Sequence, residues 1–304
     1  MKIVLFGSNE FSIPFLEAIA KDVVLVVTTI DKASGRGNKV SLNPVKAFAN
    51  NMSIDVLSVK KFNEDDVNLV HSYSPDVFVV VSYGKIIPSK VLKIVDCAIN
   101  VHPSKLPLYR GAAPIERQII DGVSESAVSI IKVINELDAG DIIISEPFKI
   151  MPSDTKGSVE KRLFEVSIPL LKKALDMIMS GKCTGKPQAG ETTYARKISQ
   201  DDEIINWGKD NLSIYNTVRA LNPKPLAYTL LRGHVLKIVS AELDESEFEC
   251  LPGTVCAVYN EGFSIKCGKG SLKVVEVIPE GRRRMLAKDF INGFRIKQGE
   301  KVGG

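Results

Sequence analysis

The chain has 304 residues, too many for one ordinary core, so two domains are expected, each able to bury a core of its own. Its composition, 44% hydrophobic and 25% charged, is that of a globular protein, and no apolar run approaches the roughly 18 residues that suggest a membrane span. A formal net charge of +4 permits an anionic partner without demanding one. The opening MKIVLFGSNEF is too short in apolar character for a secretory signal, and a cytoplasmic protein is expected. Cys97, Cys183, Cys250, Cys256 and Cys267 are scattered and form no CxxC pair, so reduced thiols are expected.

In chain order, KIVLF at 2–6 reads as a strand ending at Gly7, and Phe11, Phe15, Ala18 and Ile19 then recur at helical spacing before the strand VVLVVTTI at 23–30. Asn43 suits an N-cap with Pro44 in the first turn, and Asn63 suits the cap of the next helix. DVFVVVSYG at 76–84 is apolar on both faces, as a buried parallel strand should be. PSKVLKIV reads as helix, CAINVH as strand, PIERQIIDG as a short helix, and AVSIIKVI and DIIISEPFKI as two further strands. A long amphipathic helix from about Ser158 to Met179 closes this half. The rhythm predicts an α/β fold with an open, Rossmann-like, mostly parallel sheet, whose ligands bind beyond the carboxyl ends of its strands.

Residues 182–202 lack periodicity and are rich in Gly, Lys and polar side chains, so they are expected to link a first domain, 1–181, to a second, 203–304. After a helix near Asn211–Leu221, the runs AYTLLR, HVLKIVSAEL, GTVCAVY, GFSIKCG and SLKVVEVIP predict a smaller, OB-like β-barrel.

Three motifs carry possible chemistry. GSNEF at 7–11 lacks the second and third glycines of a dinucleotide fingerprint, which disfavours a nicotinamide enzyme. In INVHPSKLPLYRGAAP, Asn100 and His102 stand two apart on a strand, so they share one face while Ile99 and Val101 take the other. An amide donor beside an imidazole at a strand end suits reaction at a carbonyl. In ELDAGDII at 136–143, Asp138 and Asp141 are adequate turn formers, yet Asp138 is also the carboxylate available to orient His102.

Asn100, His102 and Asp138, in the text NVHPSKLPLYRGAAPIERQIIDG followed by DAGDII, resemble the hallmark of the formyltransferases that use 10-formyltetrahydrofolate. DKASGRGNKVSLNPVK, VVVSYGKIIP, TTYARKISQDDEIINW and RALNPKPLAY extend the resemblance over nearly the whole chain and toward the methionyl-tRNA branch of that family. The resemblance implies transfer of a formyl group to the α-amino group of methionyl initiator tRNA, with Asn100, His102 and Asp138 catalytic and no metal. It further implies that Ser104, Lys105, Leu106 and Pro107 border the folate, and that Ser82, Tyr83, Gly84 and Ile86 line its pterin slot. Lys32, Arg36 and Lys39 in the loop at 31–40 are implied to meet tRNA, and the chain is expected to be a monomer. Lys182, Lys186, Arg196, Lys197 and Arg282–Arg284 are further candidates for phosphate contact. Pro103 and Lys105 depart from the Gly and Leu that many relatives carry. The alternative is a formyltransferase for a small amine, such as glycinamide ribonucleotide or an amino sugar.

Overall fold

The computed structural model describes residues 1–34 and 39–303. Its contacts divide into two compact units. One comprises Met1–Ala112, Glu125–Lys149 and Glu160–Ala195; the other comprises Ala113–Ser124, Ile150–Val159 and Arg196–Gly304.

Up to the second strand-rich half, the elements are β1 (Ile3–Gly7), α1 (Ile13–Ile19), β2 (Val23–Thr29), β3 (Lys32–Ser34), β4 (Lys39–Ser41), α2 (Pro44–Asn51) and β5 (Val56–Val59). They continue with α3 (Glu64–Ser72), β6 (Val77–Val81), α4 (Ser89–Leu92), β7 (Ala98–His102), β8 (Arg110–Gly111), α5 (Pro114–Ile120), β9 (Glu125–Lys132), β10 (Ile142–Lys149), α6 (Lys156–Met179) and β11 (Tyr194–Ala195). The main sheet of the first unit has the order β10-β9-β7-β6-β1-β2-β5. From β7 to β5 all neighbours are parallel, as expected. β9 runs antiparallel to β7, and β10 antiparallel to β9. The connection at 133–141 is shorter than the dozen or so residues a parallel crossover needs, so those two strands must reverse.

Every residue of β1 and β6 is buried, which explains their lack of polar alternation. One face of the sheet packs Val4, Phe6, Leu25, Val27, Phe78 and Val80 against Phe62, Val70 and Val91. On Phe15 of α1, Phe164 of α6 makes an edge contact at 5.7 Å. The two predicted caps form: Asn43 accepts from Val45 N and Lys46 N, and Asn63 with Asp66 completes a capping box. The helix read in PSKVLKIV shrinks to α4, since the chain must straighten within a few residues to enter β7.

The expectation of reduced thiols is corrected. Cys97 is bonded to Cys183 and Cys250 to Cys256, and Cys267 remains a free, buried thiol. The first pair lies 86 residues apart in sequence, and folding brings both pairs to a Cα separation of 6.6 Å, within disulfide reach.

The second unit adds α7 (Gln200–Glu203), α8 (Asn211–Ala220), β12 (Ala227–Leu231), β13 (His234–Asp244), β14 (Val255–Val258), β15 (Phe263–Lys266), β16 (Ser271–Pro279), β17 (Met285–Leu286) and α9 (Ala287–Phe294). The five predicted strands form an antiparallel sheet, β12-β13-β16-β15-β14, with β17 on β16. Bridges from Val302 to Leu231 and from Lys301 to Thr254 join its two ends into a barrel. Its core holds Trp207, Phe263, Leu272 and Phe290, and the Trp207 indole donates to Thr229 Oγ1 at 3.0 Å. α9 is an element the strand-rich reading leaves out. Its Phe290 packs on Phe263 with ring centroids 6.0 Å apart.

Candidate active site

β7 sits between β6 and β9, and its pleat separates two functions. Ile99 and Val101 are buried at 0% and 4% exposure, while Asn100 and His102 take the opposite face. Asp138 reaches that face from the loop between β9 and β10. Its Oδ1 accepts from Asn100 Nδ2 at 3.2 Å, and its Oδ2 accepts from Gly111 N at 2.9 Å. The same Oδ2 lies 3.6 Å from His102 Nδ1, an ion-pair distance too long for a good hydrogen bond. The structure therefore brings the three sequence-predicted residues together around one carboxylate.

On its other nitrogen, His102 Nε2 lies 2.9 Å from the carbonyl oxygen of Tyr109. A carbonyl only accepts, so Nε2 carries a hydrogen and Nδ1 is the atom that gains or loses a proton. His102 is 3% exposed, which keeps competing water from most of the ring. Two glycines, Gly140 in the Asp138 turn and Gly111 whose N–H donates to the carboxylate, are required by close approach. A Cβ on Gly140 would meet Lys132 O at 1.9 Å, and one on Gly111, whose φ is +127°, would meet Ala195 O at 2.6 Å.

Other sequence-predicted residues divide into exposed and structural ones. Ile86 is 84% exposed and Lys105 is exposed, whereas Leu106 and Pro107 are buried. Ser104 is fully buried and donates to Leu108 O, while its own carbonyl accepts from Ser129 Oγ. Ser82 has a left-handed backbone, φ 49°, and its Oγ accepts from Asn9 Nδ2 at 2.6 Å. Gly84 also has positive φ, 70°. Tyr83 is 2% exposed with its ring edge on Phe6, and its hydroxyl has no partner among the described residues; burial pushes the phenol up to about 12. A hydrogen bond from Ser89, at the start of α4, to Asn135 ties the end of the loop after β6 to the loop after β9, and those loops expose Ile86, Ile134 and Leu137.

Arg36 lies outside the described residues, and Lys32 and Lys39 lie on the paired strands β3 and β4. In the second unit, Arg196 and Arg117 are both held by Asp202, and Arg284 by Glu276. Among the described residues no cluster of His, Cys, Asp and Glu gathers in the manner of a metal site. Sequence reasoning missed Tyr109, whose carbonyl fixes the His102 tautomer, and Thr193 and Gln188, which belong to the segment read as a linker. Thr193 Oγ1 accepts from Tyr109 N at 2.9 Å. Thr193 falls in the stretch TTYARKISQDDEIINW at 192–207 and Gln188 lies before it, and neither residue falls in a periodic element.

The family described as formyl transferase matches residues 1–175, and the formyl transferase C-terminal domain matches residues 197–295. The methionyl-tRNA formyltransferase of Dictyoglomus turgidum is 39% identical over 310 residues, covering 99% of each chain. That of Carboxydothermus hydrogenoformans is 38% identical over 304 residues, again covering 99% of each. The crystal structure of HypX from Aquifex aeolicus in complex with tetrahydrofolic acid shares the fold, with a TM-score of 0.67 at 18% identity over 99% of this chain and 48% of that one. With a family match over more than half its length and relatives alike from end to end, the chain belongs to the formyl transferase family.

Proposed function

We propose that this protein transfers the formyl group of 10-formyltetrahydrofolate to the α-amino group of methionyl initiator tRNA, giving the formylated tRNA that starts translation. The observation that carries the reading is likeness at 38–39% identity over almost the full length of proteins named methionyl-tRNA formyltransferase. A small amine as acceptor has no comparable support, since the likeness to a sugar 3N-formyl transferase is one of fold, at 21% identity.

The residues fit a folate that brings a flat ring and a formyl group. Exposed Ile86 and Leu137, on neighbouring loops, offer apolar cover for a ring, and Asn100 keeps an amide hydrogen beyond the one given to Asp138. That hydrogen can meet the formyl oxygen as negative charge develops on it. The attacking amine, with an ordinary pKa of about 8, is partly neutral near pH 7 and needs only a place for its proton. His102 Nδ1 supplies that place, with the Asp138 carboxylate 3.6 Å from it. The new bond joins the amine nitrogen to the formyl carbon, the carbon's bond to N10 breaks, and N10 leaves with a proton that His102 can return.

Ser82, Tyr83, Gly84 and Ile86, with Ser104–Pro107, take the folate, and the 31–40 loop with Lys32, Arg36 and Lys39 takes the tRNA. The domains are read as catalytic at 1–181 and tRNA-binding at 203–304, in a monomer that works in the cytoplasm. No helix among the described residues is long and apolar enough to cross a membrane. Purified protein with 10-formyltetrahydrofolate should formylate charged initiator tRNA and leave free methionine, glycinamide ribonucleotide and amino sugars untouched. Transfer to one of the small amines without transfer to tRNA overturns the reading.

A further inference from the structure

Asp138 is presented by a turn, with a left-handed backbone at φ 49°, a conformation that Asp tolerates better than most side chains. Gly140 rests against β9 on one side of that turn. On the other, Gln188 Nε2 donates to the carbonyl oxygens of both Asp138 and Gly140, each at 2.8 Å. The Gln188 Oε1 accepts from Arg110 Nε at 3.1 Å and from Arg110 Nη2 at 2.8 Å. These four contacts use the whole amide: both hydrogens and both lone pairs. Arg110, 8% exposed, also forms an ion pair with Glu136 at 3.2 Å. A few residues further along the same segment, Thr193 and Ala195 bind the backbone of Tyr109, Arg110 and Ala112. Gln188 and Thr193 both fall between the two family matches at 1–175 and 197–295.

We propose that Gln188 is a positioning residue for formyl transfer: anchored by the buried Arg110, it grips both carbonyls of the Asp138 turn and so fixes the carboxylate against Asn100 and His102. It touches neither substrate and acts through Asp138, so the inference rests on the role given to Asp138 above. A carboxylate released by even an ångström loses its register with Asn100 and His102, and a displacement of that size costs up to about a hundredfold in rate. Glutamate in its place keeps an acceptor for Arg110 but sets an acceptor against two carbonyls, where a donor is needed.

The test is a steady-state comparison of wild type, Gln188→Ala, Gln188→Glu, Asp138→Asn and the Gln188→Ala/Asp138→Asn double variant, with a thermal midpoint for each. Both Gln188 variants should lower kcat by roughly ten- to a hundredfold with KM for folate and tRNA unchanged. In the Asp138→Asn background, Gln188→Ala should lower kcat no further, because a residue acting through Asp138 has nothing left to act on. Wild-type kcat in Gln188→Glu, or an equal loss from Gln188→Ala in both backgrounds, overturns the proposal. So does failure of both Gln188 variants to fold, which makes the residue a structural one. Wild-type turnover in Asp138→Asn defeats the reading of Asp138 itself, whereas an impaired Asp138→Asn beside unaffected Gln188 variants defeats this inference alone.

Discussion

Two carboxylates of nearly equal burial meet different partners. The Asp138 side chain is 12% exposed and that of Asp202 is 10%. Asp202, in the second unit, accepts from Arg117 at 2.9 and 2.7 Å, from Arg196 at 2.8 and 2.7 Å, and from the backbone N–H of Ser199 at 2.9 Å. The Arg117 guanidinium above all holds its pKa well below the usual carboxylate range. Asp138 has an amide, a backbone N–H and an imidazole, while the neighbouring Arg110 engages Gln188 and Glu136. Burial is thus no guide to role. A carboxylate saturated by groups that never release a proton contributes stability, and one that faces an imidazole can support chemistry.

The contrast breaks most readily at the β7 face. Asn100→Ala and His102→Ala should each lower kcat by about two to three orders of magnitude, read in single-turnover formyl transfer, with the thermal midpoint little changed. A variant that turns over normally leaves the catalytic set.

Asp202→Ala should do the opposite and cost about 2 kcal/mol of stability in denaturant unfolding, the scale of lost charge-assisted hydrogen bonds. Its pH dependence has a definite sign. Because the folded-state pKa is depressed, the unfolded chain binds the proton more readily, so the contribution is full above about pH 4 and fades as pH falls through the lower folded value. Wild type and Asp202→Ala should therefore converge in stability as acid is added below about pH 4. A gap that stays constant there shows that Asp202 is not the group responsible.

The smallest expected effect concerns the tRNA. Arg36→Ala should weaken binding of charged tRNA and reduce the salt slope by roughly one phosphate contact, with folate affinity unchanged. A loss of folate affinity in place of tRNA affinity would move the 31–40 loop to the folate site.

Much of the fold and the β7 face is legible from short-range pattern. The unbroken apolar runs of β1 and β6 announce strands buried on both faces, and Asn43 and Asn63 announce the starts of α2 and α3. The period of two along β7 is enough to put Asn100 and His102 on one face. Each of these properties depends on neighbours within a few positions, so the amino-acid sequence alone determines it.

The tertiary structure decided the contacts made across long stretches of chain. It set Gln188 against Asp138, 50 residues away, and Thr193 against Tyr109, 84 residues away. It joined Cys97 to Cys183 over 86 residues and turned β9 and β10 antiparallel. No local period encodes such pairings, because they depend on where the backbone returns after many intervening turns. A segment such as 182–202, polar and aperiodic, therefore looks like a linker until the strand ends it binds are in place.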